Sequence, residues 1–374
     1  MSGRLGLLRA NDRASDPRGR SQEAYRSGGR RTGTGSGSFA GTVGASTWER
    51  MQHVTPLELN LVHPAGSVRP VLLGLAGDSA SGKSTLSLGI EYVLGTERVA
   101  RLCTDDYHRW DRAERAELGI TPLVPEANRM DVMGEQLRAL SEGRSVDKPV
   151  YDHQTGSFGE PIPFDPPEIL IVEGLLPLQS REVREALQVA VYLDPEEELR
   201  RRWKLERDVF ERGYSPKDVV AEINRREADA EAWVRPQRDL ADIVVRFHRA
   251  EGASEDAPLS ARLVIRPTLS YPGLRELVGR LSSGGVEPIR WSAATDRRGP
   301  MSVLDIDGDC PADVGAELEA VIWSYLHPDD RLQQDRIGRY RHPEGGERRS
   351  EALALAQLLI VSHLVGALDG AFEL

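Results

Sequence analysis

The amino-acid sequence predicts an α/β protein: a mostly parallel sheet flanked by helices, followed by a mixed α/β C-terminal extension. Three observations carry that expectation. Apolar runs at 71–75, 169–172 and 189–193 have strand length and no polar alternation, as strands covered on both faces do. Helix-spaced segments separate them. After the first run, Gly77, Gly82, Lys83 and Ser84 fill the fixed places of G-x-x-x-x-G-K-[ST], between a strand and a helix.

That motif assigns chemistry before any other part of the chain does. In Gly77-Asp78-Ser79-Ala80-Ser81-Gly82-Lys83-Ser84-Thr85 the backbone N–H groups are expected to wrap nucleotide phosphates. Lys83 would reach the β and γ oxygens, and Ser84 would hold Mg²⁺. Glycine permits close backbone approach, and the following helix N-terminus favours anions. Leu86, Leu88, Ile90 and Val93 supply that helix with a buried side. A chance glycine turn would need neither the strand nor the helix. The core is therefore P-loop NTPase-like, with ATP and Mg²⁺ as its cofactors.

Length and composition bound the rest. A chain of 374 residues can bury a sizeable core, and a net charge of -11 argues against a mainly electrostatic nucleic-acid binder. Two cysteines, Cys103 and Cys310, cannot build a disulfide framework, which fits a reducing, cytoplasmic setting. Residues 1–52 are rich in Gly, Ser and Arg and are expected to be a disordered extension. They hold no secretory h-region, and Asp12, Asp16 and Glu23 weaken a transit-peptide reading, leaving a flexible extension or a misassigned start. A kinase core with a lid is expected over 53–250. The segment 251–258 reads as a linker, and 259–374 as an α/β region that completes the sheet or forms an oligomer interface.

Along the chain, a second strand at 98–104 ends in Thr104-Asp105-Asp106-Tyr107-His108-Arg109-Trp110-Asp111-Arg112. Ligands of open α/β sheets sit beyond the carboxyl ends of strands, so Asp105 is placed to take a proton from an attacking hydroxyl. The plainer alternative is an Asp pair capping a helix. Residues 128–140 read as a packing helix stopped at Gly143, and 148–156 as an extended or loop segment offering Tyr151 and His153. Glu173 ends the 169–174 strand where a metal-supporting carboxylate belongs. From Glu196 a helix is expected with Leu199, Trp203, Val209 and Phe210 on its apolar side. Its many cations are either a solvated, ion-paired face or a basic lid over a transferring phosphate. A strand at 243–247 closes this half. Strands at 261–265, 288–291 and 301–306 and helices at 313–325 and 351–368 follow. The segment 352–368 is apolar, but Gln357, Ser362 and His363 interrupt it, and it falls short of the ~20 residues of a span. It reads as a buried or interface helix of a homo-oligomer.

These residues together resemble the phosphoribulokinase and uridine kinase superfamily, more closely the phosphoribulokinases of plant and cyanobacterial type. The resemblance rests on 77–85, 104–112, 120–128, 148–156, 172–175, 204–214 and 233–242, and covers 69–247 well. It implies ATP-dependent phosphorylation of the C1 hydroxyl of D-ribulose 5-phosphate, as in carbon fixation. By position it makes Asp105 the catalytic base and Asp208 a second acidic group assisted by Lys204 and Arg207. His108, Arg112, Tyr151, His153 and Arg212 become contacts of the sugar phosphate, and Ser84 and Glu173 the metal residues. In the light-regulated plant enzymes one cysteine lies in the P-loop and another just before the Asp pair. Here Cys103 has the second place but Ser81 the first, so that thiol switch cannot form. A nucleoside kinase would share the loop, base and lid. A P-loop switch or assembly NTPase would not need Asp105, and no N-K-x-D sequence follows the loop.

Overall fold

The structure is a computed structural model that describes residues 69–267, 278–279, 288–326, 332–341 and 346–368. The expected extension 1–52 lies outside these residues, as does 53–68. Strand β1 (Val71–Gly77) is buried along its whole length, as expected for a run of apolar residues and glycine between two covered faces. It pairs in parallel with β5 (Ile169–Gly174) on one side and β6 (Val189–Leu193) on the other. Outside β5 lies β2 (Val99–Cys103) and outside β6 lies β7 (Ile243–His248), both parallel to their neighbours. These five strands therefore present their carboxyl ends along one edge of the sheet, where the P-loop and the Asp105 turn meet.

Beyond β7 the sheet continues with reversed polarity through β8 (Ser260–Ile265), β10 (Gly299–Ile306) and β9 (Ile289–Asp296), all antiparallel pairs. The order is β2-β5-β1-β6-β7-β8-β10-β9 in one eight-stranded sheet. Strands from both sides of 251–258 thus share a sheet, within a compact unit that runs from Ala65 to Leu374.

Helix α1 (Lys83–Leu94) covers β1 with Leu86, Ile90, Val93 and Leu94, while Leu88 is only half-buried. Against it packs the last helix of the described chain, Glu351–Leu368, whose thirteen buried residues include Gln357 and His363. A Cβ on Gly89 would lie 1.8 Å from Gln357 Nε2, so glycine is what lets the two helices approach. Gln357 Oε1 accepts the Gly338 N–H at 2.8 Å. By length and composition this helix could cross a membrane, yet 72% of its most apolar window is buried inside the fold, as in a core helix.

Burial takes the His363 imidazole down to about 3 from an ordinary 6.5. Folding therefore favours the neutral ring. The stability this carries is full above pH 6.5 and is lost as pH falls from there towards 3, at up to ~1.4 kcal/mol per pH unit. Urea midpoints should drop across that window, and His363→Gln should drop less steeply than the native chain. Equal slopes would assign the acid sensitivity to other groups.

One local expectation is given its form and another is corrected. The 148–156 segment is the core of a hairpin, β3 (Val146–Asp152) with β4 (Ser157–Phe164), in its own two-stranded sheet. Pro161 and Pro163 hid β4, because proline is a strand breaker except where, as here, the strand has a free edge. Helix α5 (Glu197–Phe210) turns its charged side inward. Arg200, Lys204 and Asp208, spaced by four, are buried, whereas Phe210 is 83% exposed. Trp203 and Val209 are half-buried. The ion pairs and hydrogen bonds these charges make with one another and with the P-loop offset the cost of removing them from water.

Candidate active site

The P-loop turns sharply after β1. Gly77 has φ +154, and a Cβ there would sit 2.6 Å from Ser81 Oγ and 2.8 Å from the Leu193 carbonyl, so a larger residue would displace the loop. Ala80 holds φ +61, a left-handed conformation that costs a non-glycine residue about 1 kcal/mol or more. Lys83 Nζ donates to the carbonyls of Gly77 at 2.9 Å and Asp78 at 2.8 Å, and to Ser81 Oγ at 3.4 Å. Burial lowers its pKa, against the opposing pull of Asp78, Glu173 and Asp105. Ser84 and Thr85 stand exposed on the first turn of α1. The Asp78 carboxylate accepts the Ser79 N–H at 2.7 Å and pairs with Arg200 at 3.5 Å.

The two adjacent aspartates after β2 part company in the turn Thr104–Tyr107. Asp106 bonds Lys148 Nζ and accepts the Tyr151 N–H at 2.9 Å, fastening the β3–β4 hairpin to the sheet. Asp105 faces the other way. Its carboxylate lies 3.8 Å from His108 Nε2 and 3.8 Å from His153 Nε2, a quarter exposed. Burial pushes its pKa up, but His108, His153, Lys83 and Arg226 together outweigh that and hold it below the ordinary value. Asp105 is therefore ionised at neutral pH.

The neighbouring histidine has a fixed tautomer. Asn128 Nδ2 donates to the carbonyls of Pro122 (3.1 Å) and Val124 (2.9 Å), which leaves its Oδ1 to accept from His108 Nδ1 at 2.8 Å. Burial lowers the His108 pKa against the pull of Asp105, so the ring is neutral and its bare Nε2 faces Asp105. Two acceptors thus stand 3.8 Å apart, and a substrate hydroxyl can give its single proton to one of them. Tyr151 stacks edge-on against both His108 and His153, with ring centroids 5.0 and 5.3 Å away. Its hydroxyl accepts from Arg115 at 2.8 Å and its side chain is buried, so it braces the two histidines. Arg112 donates to the His153 carbonyl at 2.5 Å and the Gln154 carbonyl at 3.4 Å, holding the hairpin turn.

Helix α5 closes the phosphate side. Arg200 reaches the Ser79 carbonyl at 3.1 Å and Arg207 the Ser79 hydroxyl at 3.1 Å. Asp208 gathers Lys204 (2.6 Å), Arg207 (2.9 Å) and Arg212 (3.4 Å) around one buried carboxylate. Burial raises its pKa, and the cations, Arg207 foremost, bring it below the ordinary value. Asp208 thus concentrates positive charge beside the P-loop.

Sequence reasoning missed Arg226, on α6 (Pro216–Asp229). It pairs with Glu222, contributes to holding Asp105 ionised, and shares a small cleft with Asp78, Ser79 and Lys204. Among the described residues its buried Nε has no hydrogen-bond partner. Its only sequence signal was an Arg225-Arg226 pair on a helix of mixed charge after α5, which ordinary surface helices share. Glu173, the expected metal residue, accepts from Ser87 at 2.8 Å and contributes to the field at Lys83.

Cys103 and Cys310 are both free. Burial, then Asp105, Asp106 and Glu173, push the Cys103 thiol well up, and burial takes Cys310 to about 11. Neither is a reactive thiolate at neutral pH. Dithiol reductants should leave turnover unchanged, and a large reductant-dependent activation in a steady-state assay would overturn this.

A P-loop after a central parallel strand, with an ionised aspartate and a cation-bearing helix converging on it, defines a protein of the P-loop kinase class. The profile of the Phosphoribulokinase / Uridine kinase family matches residues 72–252. The chain is 31% identical to a uridine kinase of Clostridium tetani over 187 residues, 48% of this chain and 88% of that one. It is 43% identical over 178 residues to a phosphoribulokinase of Synechocystis sp., 48% of this chain and 54% of that one. With a chloroplastic phosphoribulokinase of Mesembryanthemum crystallinum it shares 37% identity over 227 residues, 55% and 57% of the two chains. The chain belongs to the phosphoribulokinase / uridine kinase family. It spans little more than half the length of the phosphoribulokinases it matches.

Proposed function

We propose that this chain transfers the γ-phosphoryl group of ATP to the C1 hydroxyl of D-ribulose 5-phosphate, giving D-ribulose 1,5-bisphosphate and ADP. The observation that carries the reading is the ionised Asp105 carboxylate, set between two histidines and within the field of Lys83. Phosphoryl transfer asks a protein for position and charge neutralisation. In this reading Asp105 takes the proton of the acceptor hydroxyl, and His108, held in place by Asn128, lines the space beside it. Lys83, Lys204 and Arg207 neutralise charge on the transferring phosphoryl oxygens. Asp208 keeps the last two gathered, as a positioning residue. Arg212, 46% exposed beside Asp208, can reach a sugar phosphate with part of its guanidinium, and His153, half-exposed, lies 3.8 Å from Asp105.

The donor set fits a hard cation. Ser84 presents an exposed hydroxyl and Glu173 a carboxylate, both oxygen ligands of the kind Mg²⁺ takes. When bound, the ion neutralises β and γ phosphate oxygens. We also propose a cytoplasmic enzyme, supported by the two free cysteines and by a C-terminal helix that is mostly buried inside the fold.

A nucleoside kinase is the second reading, favoured by the 88% of a uridine kinase that the chain covers. Purified protein with ATP and Mg²⁺ should convert ribulose 5-phosphate to a bisphosphate far faster than it phosphorylates uridine. The reverse order would replace the first reading with the second.

A further inference from the structure

The catalytic edge of the sheet holds a second donor set, chemically unlike the oxygens that suit Mg²⁺. Cys103, Asp105 and His153 each offer one ligand atom, and these atoms all lie within 4.8 Å of one another. His153 Nε2 is already 3.8 Å from Asp105 Oδ2. The three come from different pieces of structure: the last residue of β2, the turn that follows it, and the turn of the β3–β4 hairpin. Cys103 and Asp105 are fixed by the sheet. His153 is half-exposed on the hairpin, so its ring can turn while the other two stay in place.

A tetrahedral ion with bonds of about 2.0 Å to N and O and about 2.3 Å to S needs donors roughly 3.3–3.7 Å apart. No pair in the set has to contract by more than about 1.5 Å to meet that geometry. Two further carboxylates stand close by: Glu173 lies beside Cys103 in the β2–β5 ladder, paired with Arg101 at 3.7 Å, and Asp106 follows Asp105, paired with Lys148. Sulfur and imidazole prefer Zn²⁺-like ions over Mg²⁺, which keeps to oxygen.

We propose that Cys103, Asp105 and His153 form an inhibitory site for a thiophilic divalent cation such as Zn²⁺, distinct from the Mg²⁺ residues Ser84 and Glu173. On binding, the Cys103 thiol gives its proton to solvent and the thiolate, the Asp105 carboxylate and a His153 nitrogen become ligands. Three protein ligands leave a fourth position to water. Occupancy removes Asp105 as a base, so the ion shuts off transfer without touching the P-loop. The binding half holds whatever the acceptor is; the inhibitory half rests on the proposed role of Asp105.

The test uses the full chain, stripped with a chelator and kept in excess Mg²⁺. Titration with Co²⁺ should give one equivalent of a species with a thiolate-to-cobalt absorption band, displaced by Zn²⁺. Cys310→Ser should keep the band and Cys103→Ser should lose it, with circular dichroism confirming that both fold. His153→Asn should weaken Co²⁺ binding by at least ~10-fold. Zn²⁺ should inhibit phosphoryl transfer in the native chain and in Cys310→Ser, with recovery on adding chelator. A band that survives Cys103→Ser, or Mg²⁺ that displaces the Co²⁺ stoichiometrically, would overturn the site. One bound Zn²⁺ with full turnover would overturn its inhibitory role and Asp105 as base, while leaving the ligand set standing.

Discussion

Asp105→Asn should lower kcat by ~10²-fold or more while ATP affinity stays near that of the native chain. The amide matches the carboxylate in shape, so the contacts with His108 and His153 keep their spacing, and only proton affinity is lost. Lys83 loses one of three attractive carboxylates but keeps its bonds to the Gly77 and Asp78 carbonyls, so the nucleotide cradle should survive. Steady-state kinetics beside direct nucleotide binding separates the two effects. A variant with near-native turnover would take Asp105 out of the chemistry. Because the surrounding cations hold Asp105 below its ordinary pKa, loss of this base cannot produce an acid limb near neutrality. An inflection that stays near pH 6 in native enzyme would have to belong to a group other than Asp105.

Lys83→Ala should fail in a different way, lowering kcat/KM by about 10²–10³-fold and weakening ATP binding with it. Its ammonium meets two loop carbonyls and the field of three carboxylates. Removing it costs the loop its internal tie and costs the transferring phosphoryl group its nearest cation. Lys83→Arg should not rescue, because a planar guanidinium cannot occupy the space of a compact ammonium between Gly77 O and Asp78 O. Loss of kcat with unchanged ATP binding would mean that Lys83 acts only in the transition state.

How far the site could be read in advance depended on how local each feature is. The P-loop was legible because its strand, turn and helix are contiguous and each position demands a residue type. The parallel strands were legible because burial on both faces leaves an uninterrupted apolar run, and Glu173 could be placed by its position at the end of one. Asp105 was singled out by its place beyond the strand end and by the resemblance, but the partners were not legible: only packing sends Asp106 to Lys148 and Asp105 to two histidines. Phe210 was placed on the wrong side of its helix for a related reason. Apolar periodicity assumes that charge faces water, and α5 instead buries Arg200, Lys204 and Asp208 in mutual pairing.

By itself the sequence determined the sheet's central strands, the phosphate cradle and the residue types available for transfer, because those follow from short-range pattern and backbone sterics. Only the tertiary structure decided which charges meet. It brought His153 to Asp105 across the chain, closed three cations around Asp208, recruited Arg226 and ran the C-terminal strands on from β7. Coulombic and hydrogen-bond partners are chosen by distance in space, and distance in space is fixed only once the helices and hairpin have packed on the sheet.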